Sequence, residues 1–252
     1  MADLIRTSVI FPIYNEIKNL QKGVLDKVLN YARNQKKIIE VLIVDDGSTD
    51  ESLSILKKEY IGKYPKLRIL EKKHSGKAFS VIAGIKHAKG NIVLFSDIDL
   101  ATPIEEVQKL INEVIGGYDI VIGSRTKERS GAPLVRKFMA YGFILFRNFL
   151  IGLPNIRDTQ CGFKAFKKHA ALDTIAHLRV FKKELELDRS SVSAGFDLEF
   201  LFVAHKLGYK IREVPVIWRH VETKNVNFLT DSYEAIRDLL RVKLNYIRGK
   251  YS

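Results

Sequence analysis

The sequence is poor in cysteine and has no long apolar run, and each shortage excludes a class of protein. Cys161 is the single cysteine among 252 residues, so no disulfide forms within the chain and a reducing compartment is the default expectation. No stretch approaches the roughly 18 uninterrupted apolar residues of a membrane-spanning helix. Met1–Phe11 lacks the basic region, apolar core and small-residue cleavage site of a secretory signal. We therefore expect a cytoplasmic protein without a transmembrane segment.

Positive charge is concentrated in the second half of the chain. Residues 1–125 hold 19 Lys/Arg against 16 Asp/Glu, a net of +3, whereas residues 126–252 hold 23 against 13, a net of +10. Such asymmetry predicts an anionic partner, although a well-solvated surface explains it equally well. No helix-turn-helix, zinc spacing or aromatic RNA-binding strand is recognisable, so an anionic membrane surface is favoured and no nucleic acid is expected.

Short apolar runs alternate with amphipathic segments in the first half. The runs rich in Val, Ile and Leu are Thr7–Phe11, Glu40–Val44, Leu67–Leu70, Ile92–Phe95 and Asp119–Ile122. Helical patterns lie near 18–33, 50–60, 76–88 and 103–115. This alternation predicts an α/β fold with a mostly parallel sheet covered on both faces. No linker or repeat interrupts the chain, so residues 1–252 are expected to form one domain with an elaborated carboxyl half.

The second half contains two helical segments that suit a membrane surface. Pro133–Gly152 crowds Phe143, Phe146 and other apolar side chains beside Arg136, which is typical of an interfacial helix. A core-facing helix or an oligomer interface is the alternative for this segment. Further along the chain, the sequence predicts a helix over Gly195–Gly208 and a strand over Tyr209–Trp218. Asp231–Ile247 is predicted to be the last helix, and its composition is similar to that of Pro133–Gly152.

Polar motifs follow the predicted strands, at the sheet edge where ligands of such folds bind. Pro12-Ile13-Tyr14-Asn15-Glu16 follows the first strand, and Asp45-Asp46-Gly47-Ser48 follows the second. Carboxylates beside an aromatic ring suit a nucleoside, because they accept from base N–H groups and ribose hydroxyls. An ordinary turn with a helix cap accounts for the second motif equally well.

Asp97 and Asp99 follow the fourth predicted strand. Alternate residues of an extended chain point to opposite sides, so these two carboxylates converge only if the chain turns. Two carboxylates at a strand end suit Mg²⁺ or Mn²⁺ bridging a diphosphate, and the alternative is a capping turn. Arg125 ends the fifth strand with Arg136 beyond it, and the guanidinium fork of arginine fits phosphate oxygens.

Together these segments resemble the family-2 glycosyltransferases with the GT-A fold. More narrowly, the chain is similar to dolichyl-phosphate β-glucosyltransferases and their polyprenyl-phosphate relatives. The resemblance runs from Thr7 to about Gly249, and its most specific piece is the Arg157-Asp158-Thr159-Gln160-Cys161-Gly162-Phe163-Lys164 block. It implies an inverting transfer of a hexose, favoured as glucose from UDP-glucose, onto a polyprenyl or dolichyl phosphate at the cytoplasmic membrane face. Residues 1–125 would then be the nucleotide-sugar half and 126–252 the acceptor and membrane half.

The resemblance also assigns roles to particular residues. The nucleoside would be held by Pro12, Tyr14, Glu16, Val44 and Asp46. Asp97 and Asp99 would meet the nucleotide-sugar and its divalent cation, with Asp99 the closer ligand.

Three basic residues complete the set that the resemblance implies. Arg125 and Arg136 would grip the acceptor phosphate, and Lys224 approximates a segment that closes over the donor. Glu222-Thr223-Lys224 stands where the family has Gly-Ser-Lys, and Ala140 stands where related mannosyltransferases have serine.

The chemistry depends on the acceptor. A phosphate monoester is largely ionised near neutral pH, so positioning and electrostatics suffice and no strong general base is required. A sugar hydroxyl would instead need a carboxylate in hydrogen-bond reach, for which Asp158 is the first candidate, followed by Asp197 and Glu199, and a structural role is the equal alternative for each. The candidate catalytic residues are therefore Asp99, Asp158 and Arg125. Transfer to a sugar hydroxyl, a non-enzymatic protein that binds anionic lipid or nucleic acid, and a homo-oligomer remain open.

Overall fold

The computed structural model describes residues 5–125, 148, 150–153, 156–181, 194–219, 221 and 228–251. The strands, in chain order, are β1 (Thr7–Ile13), β2 (Ile38–Asp45), β3 (Leu67–Glu71), β4 (Ile92–Ser96), β5 (Ile120–Ser124), β6 (Phe163–Lys167) and β7 (Ile211–Pro215). The helices are α1 (Ile17–Gln21), α2 (Val24–Asn34), α3 (Ser52–Ile55), α4 (Lys77–His87), α5 (Val107–Ile115), α6 (Lys168–His177), α7 (Ala194–Lys206) and α8 (Phe228–Ile247). A π-helical turn, Leu56–Tyr60, extends α3, and a 3-10 turn, Ile104–Glu106, precedes α5.

The strands form one sheet in the order β3-β2-β1-β4-β6-β5-β7. All neighbouring pairs are parallel except the two that involve β6, which runs antiparallel between β4 and β5. The carboxyl ends of β1, β2, β4 and β5 therefore lie at the same edge of the sheet, where the polar motifs follow them. This is the mostly parallel sheet predicted from the alternating sequence.

Apolar residues of the central strands are buried on both faces of the sheet. Phe11 and Ile43 face the side covered by α2 and α5, whereas Ile10 and Leu42 face α4. Burial on both faces explains why these strands appear in the sequence as continuous apolar runs instead of alternating patterns. Gly84 lets α4 approach the sheet closely, because a Cβ there would meet the side chain of Ile10.

Several predicted elements differ from the observed ones. The single helix predicted near 18–33 is two helices, since Gly23 adopts a left-handed conformation with φ of 70° between them. The strand predicted over Tyr209–Trp218 is limited to Ile211–Pro215, and β6 and α6 were not predicted. In the part of the chain that the structure describes, no helix is both long enough and apolar enough to span a bilayer.

Candidate active site

The loops after β1 and β2 are joined by the side chain of Asn15. Its Oδ1 accepts hydrogen bonds from the backbone N–H groups of Thr49 (2.8 Å) and Asp50 (3.2 Å). The backbone N–H of Asn15 donates to Ser48 Oγ at 3.0 Å. Asn15 has a φ of 56°, a left-handed conformation that asparagine tolerates better than most residues. The two motifs predicted to hold a nucleoside are therefore one connected structure.

An aromatic stack lies at this edge. The rings of Tyr14 and His74 are stacked with their centroids 4.1 Å apart and their planes 19° from parallel. The His74 ring is held in place by Asp46, because its Nδ1 lies 2.8 Å from Asp46 Oδ2. A flat aromatic surface beside carboxylates suits a nucleobase. Tyr14 was predicted from the sequence, whereas His74 was not.

Asp46 is buried and its carboxylate accepts several hydrogen bonds. The donors are Gly76 N (2.8 Å), Ser75 N (3.1 Å), Ser80 Oγ (2.9 Å) and Lys72 Nζ (2.8 Å). Burial alone raises the pKa of Asp46, but the hydrogen bonds from Lys72, Ser80 and Ser75 outweigh it and hold the pKa below its usual value. Asp46 thus shapes the nucleoside region by fixing the loop over residues 72–76 against the sheet.

The remaining predicted nucleoside residues differ in their exposure. Pro12 is half-buried and lies in register with Val44 of the neighbouring strand. The side chain of Val44 is fully buried in the core beneath α4, so a ligand would reach only its backbone. Glu16 is half-buried, and its Oε2 accepts a hydrogen bond from Asn19 Nδ2 at 2.6 Å.

Asp97 and Asp99 lie in a tight turn after β4, as their spacing requires. Leu100 N donates to Asp97 O at 3.3 Å, and Leu100 has a φ of 50°. Asp99 Oδ1 accepts from Ala101 N at 3.0 Å, which fixes that carboxylate. Gly162 accommodates the other one, because a Cβ at this position would collide with the Asp97 carboxylate. The turn therefore brings the two carboxylates together and explains the glycine of the 157–164 block.

The electrostatics of this pair suit a cation. Burial raises the pKa of Asp99, and the negative charge of Asp97 raises it further. Lys77 Nζ forms an ion pair with Asp97 Oδ1. Burial lowers the pKa of Lys77, but Asp97, with smaller contributions from Asp197 and Asp99, raises it above its usual value.

Asp97 and Asp99 fit Mg²⁺ or Mn²⁺ as a minimal set of oxygen ligands. No group of three or more His, Cys, Asp or Glu residues suited to a metal occurs within the described ranges. Two carboxylates suffice for a cation that also binds water and substrate phosphates. The Asp97 side chain is 41% exposed, so it is accessible to such a ligand.

Arg125 and Asp158 form a bidentate ion pair. Arg125 Nε and Nη2 donate to the two carboxylate oxygens at 2.7 and 2.8 Å, and Arg125 N donates to Oδ2 at 3.1 Å. Burial raises the pKa of Asp158, but Arg125 outweighs it and leaves the pKa below its usual value. A carboxylate with a lowered pKa whose oxygens both accept from arginine is a weak base. The sequence leaves a base and a structural role open for Asp158, and the geometry favours a positioning role.

The backbone that carries Asp158 is itself fixed by β7. Glu213 Oε2 and Oε1 accept from Arg157 N (2.7 Å) and Asp158 N (2.9 Å). Glu213 thus orients Asp158, and Asp158 orients Arg125.

A small pocket lies between the Asp97 turn and the 157–164 block. It is lined by Ser96, Asp97, Ala101, Thr102, Cys161, Gly162 and Trp218. The guanidinium of Arg125 lies 5.8 Å from the centre of the ring of Trp218, one of these lining residues. Burial raises the pKa of the Cys161 thiol to about 11, which excludes a thiolate nucleophile near neutral pH.

The two other candidate bases are engaged in structural contacts. Lys164 Nζ is buried and donates to Asp197 Oδ1 at 2.8 Å and to Cys161 O at 2.6 Å. Asp197 is therefore half of an ion pair beneath the site.

Glu199 is fully buried and caps a turn. Its carboxylate accepts from the backbone N–H groups of Arg179, Val180 and Phe181 at 2.7–3.0 Å and from the Tyr251 hydroxyl at 2.5 Å. These contacts, and a side chain with no exposed surface, favour a structural role for Glu199 over a role as a base near the acceptor.

Some predicted residues lie outside the described residues. They are Arg136, Ala140, Lys224 and most of the Pro133–Gly152 segment. Sequence reasoning also missed His74, Lys77 and Trp218. Gly76-Lys77 was detectable, since a glycine and a lysine at a strand-to-helix junction form a common anion site.

Comparisons with known proteins find relatives that cover most of the chain. Residues 8–174 match the sequence model of the family described as "Glycosyl transferase family 2". The dolichyl-phosphate beta-glucosyltransferase of Mus musculus is 32% identical over 262 residues, which cover 97% of this chain and 76% of the relative. The enzyme of the same description from Homo sapiens is 31% identical, with the same coverage, and that from Saccharomyces cerevisiae is 29% identical over 265 residues, covering 97% and 76%.

Solved structures share the fold. Glucosyl-3-phosphoglycerate synthase from Mycobacterium tuberculosis, in complex with Mn²⁺, UDP and phosphoglyceric acid, superposes with a TM-score of 0.66 at 18% identity, covering 94% of this chain and 78% of that one. The same synthase with Mg²⁺ and UDP gives a TM-score of 0.66 at 17% identity, with 94% and 79% coverage. The seven-stranded sheet and its flanking helices are the GT-A fold. The chain belongs to glycosyl transferase family 2.

Proposed function

We propose that this protein is a metal-dependent, inverting glucosyltransferase that moves glucose from UDP-glucose onto a polyprenyl or dolichyl phosphate. The observation that carries the proposal is the proximity of Arg125 to the Asp97–Asp99 turn: Asp97 and Trp218 line the same pocket, and the Arg125 guanidinium lies 5.8 Å from the centre of the Trp218 ring. A transferase of this kind must hold a donor diphosphate and an acceptor phosphate side by side. The relatives described as dolichyl-phosphate beta-glucosyltransferases support both the sugar and the lipid.

The donor would lie along the ends of β1, β2 and β4. The stacked rings of Tyr14 and His74 would hold the base, with Pro12, Glu16 and the Val44–Asp46 backbone around the nucleoside. UDP in the related synthase structures supports uridine.

Asp97 and Asp99 would hold the divalent cation. Bound there, Mg²⁺ or Mn²⁺ would stabilise the charge on the departing nucleotide. Without ligand, Lys77 partly neutralises Asp97, and its ammonium lies where it would meet the same diphosphate.

Arg125 would position the acceptor phosphate. Asp158 accepts from Nε and Nη2 of the guanidinium, and no other side chain among the described residues accepts from its remaining N–H groups, which we propose donate to phosphate. An ionised phosphate oxygen attacks the anomeric carbon from the face opposite the leaving UDP, and the configuration inverts. No proton has to be removed from this nucleophile, which agrees with the weak basicity of Asp158. Arg136 and Lys224 are proposed, by resemblance, to add to the acceptor and donor sites.

Transfer to a sugar hydroxyl is less well supported. It would need an available carboxylate, yet Asp158 pairs with Arg125, Asp197 pairs with Lys164, and Glu199 is buried. These pairings favour a phosphate acceptor.

The proposed acceptor requires peripheral contact with a membrane. The net charge of +13 agrees with an anionic surface. We also propose that residues 1–252 form one domain, because β6 and β7 of the second half lie in the same sheet as β1–β5. A homo-oligomer stays a prediction.

A transfer assay tests the proposal. The protein is mixed with a panel of nucleotide-sugars and Mn²⁺, with either a polyprenyl phosphate or a glycan acceptor, and products are identified by mass spectrometry. We expect glucosyl phospholipid from UDP-glucose, and at least about a hundredfold less from the Asp99→Asn variant. Glucose appearing only on the glycan would overturn the acceptor assignment. Absence of any transfer would favour a non-enzymatic anionic-surface protein.

A further inference from the structure

The last helix leaves an apolar stripe uncovered. α8 packs against the protein through Leu239 and Val242, which are fully buried. Four of its exposed large apolar side chains are Ile236 (42%), Leu240 (44%), Leu244 (50%) and Ile247 (68%), and a fifth, Tyr246 (39%), contacts Phe202 and Lys206 instead. Their spacing places these four on one face of the helix, with the buried Asp238 and Val242 on the opposite face and Leu239 at the edge between them. We call these four residues the outer stripe.

The outer stripe is bordered by positive charge. Residues 236–251 contain five cations, Arg237, Arg241, Lys243, Arg248 and Lys250, and a single carboxylate, Asp238, that is 3% exposed. Helical geometry places the three arginines along one flank of the stripe and Lys243 along the other. Arg237 and Arg241 lie 3.4 and 3.6 Å from Asp238, yet their side chains remain 42% and 55% exposed. An apolar stripe with basic flanks is the composition of a helix that lies in an anionic bilayer surface.

The helix also lies close to the proposed active site. Asp238 packs directly on the first turn of α7, because a Cβ on Gly195 would collide with its side chain. Two residues further along that turn, Asp197 pairs with Lys164, and its charge acts on Lys77 beside Asp97. The buried face of α8, opposite the outer stripe, is therefore linked to Lys77 and Asp97 through the first turn of α7.

We infer that the outer stripe docks on an anionic membrane surface. The apolar side chains enter the headgroup region and the flanking arginines contact lipid phosphates. The inference rests on the proposed function, because that function gives the reason for membrane contact. A lipid acceptor has its phosphate in the active site and its hydrocarbon chain in the bilayer. A second copy of the chain is a poorer occupant, because a two-fold contact along the stripe would bring basic flanks together.

Vesicle binding tests the inference. Co-sedimentation is measured with phosphatidylcholine vesicles that contain or lack phosphatidylglycerol, for the unaltered protein and for Leu240→Ser/Leu244→Ser. The matched control is Ile61→Ser/Ile115→Ser, which changes two residues of similar exposure (55% and 42%) elsewhere on the surface. We expect the outer-stripe variant to lose at least about tenfold in partitioning, or about 1.4 kcal/mol, and the control to match the unaltered protein. Added salt should weaken binding, because it screens the basic flanks.

A charge variant and an oligomer measurement complete the test. Arg237→Gln/Arg241→Gln should lose most of the preference for phosphatidylglycerol, which keeps the inference testable even if the leucine variant fails to fold. Equal binding by the outer-stripe variant and its control would overturn the inference. The inference would also be overturned if analytical ultracentrifugation showed a dimer of the unaltered protein, and the leucine substitutions dissociated that dimer but left vesicle binding unchanged.

Failure of the docking inference is distinguishable from failure of the proposed function. A short, water-soluble isoprenyl phosphate needs no membrane, so the outer-stripe variant should glucosylate it as fast as the unaltered protein does. If vesicle binding depended on the outer stripe but no phosphate acceptor was glucosylated, the result would support the docking surface and contradict the proposed reaction.

Discussion

Replacing Asp158 with asparagine tests whether that carboxylate positions Arg125. The variant keeps the shape of the side chain but removes its charge and turns an amide N–H group toward the guanidinium. The native pair is bidentate, with N···O distances of 2.7 and 2.8 Å, and its side chains are only 23% and 10% exposed. The change therefore leaves Arg125 partly buried with one of its acceptors lost.

The expected magnitude follows from that geometry. Removing one partner of a buried ion pair costs about 3–5 kcal/mol. The asparagine oxygen still accepts one hydrogen bond, so we expect a loss of about 2–3 kcal/mol in the free energy of unfolding. A loosened Arg125 should raise the KM for the acceptor phosphate about tenfold, the value of 1.4 kcal/mol of lost interaction. Donor affinity should stay unchanged.

Urea unfolding and steady-state kinetics measure these quantities. The matched control is Glu71→Gln, which breaks the exposed Lys57–Glu71 pair (2.8 Å, side chains 46% and 50% exposed) and should cost under about 1 kcal/mol. A loss for Asp158→Asn no larger than that of the control, with an unchanged acceptor KM, would refute the positioning role. Loss of the acidic limb of the pH–rate profile, at unchanged stability, would instead identify Asp158 as the base.

The same pair predicts a pH dependence with a definite sign. Because the folded pKa of Asp158 is below its unfolded value, the stabilisation is fully present above the unfolded pKa, about 4, and is lost as the pH falls through the folded pKa. The difference in unfolding free energy between the unaltered protein and Asp158→Asn should therefore be constant from about pH 7 to pH 5 and narrow below about pH 4.

Three further predictions follow. Asp99→Asn should preserve or slightly raise stability, because the pKa of Asp99 is raised by burial, yet cut turnover at least about a hundredfold; full activity in excess chelator would contradict a metal site. Asp46→Ala should destabilise by about 2–4 kcal/mol in urea, because it leaves buried donors unpaired; a loss of nucleotide affinity at unchanged stability would make Asp46 a direct ligand. Arg136→Ala should weaken acceptor use roughly tenfold to over a hundredfold and change donor binding little, and Arg136→Lys should recover part of the loss. Titrations with nucleotide-sugar and with polyprenyl phosphate measure both affinities, and a loss of donor affinity at unchanged acceptor affinity would assign Arg136 to the diphosphate.

The amino-terminal half of the fold was predictable from the sequence because its strands are apolar on both faces. The strand expected over Ile92–Phe95 is observed as Ile92–Ser96, and the turn required by Asp97 and Asp99 is present. β6 was missed for a physical reason. Lys164 is the second residue of β6 and its side chain is 1% exposed, and its buried charge is compensated by Asp197 from a helix distant in sequence. No local pattern in the sequence reveals such a partner.

The site was predictable where a motif lies at a strand end and not where distant segments meet. Asp97 and Arg125 lie at the same edge, as expected from the ends of their strands. The pairing of Asp158 with Arg125, 33 residues apart, and the capping of a turn by Glu199 depend on tertiary contacts. A motif shows where a carboxylate lies in the sequence. It does not show which hydrogen-bond donors surround that carboxylate in the fold, and those donors decide whether it can act as a base.

The central claim is that a donor diphosphate and a lipid phosphate meet between the Asp97–Asp99 turn and Arg125. The most direct test is to incubate the protein with UDP-glucose, Mn²⁺ and a polyprenyl phosphate and to determine the anomeric configuration of the product by NMR. We expect glucose joined through a β-linkage to the phosphate, with formation reduced at least about a hundredfold in Asp99→Asn and strongly reduced in Arg125→Leu. A product with the α-configuration, or glucose joined to anything other than the phosphate, would contradict the account.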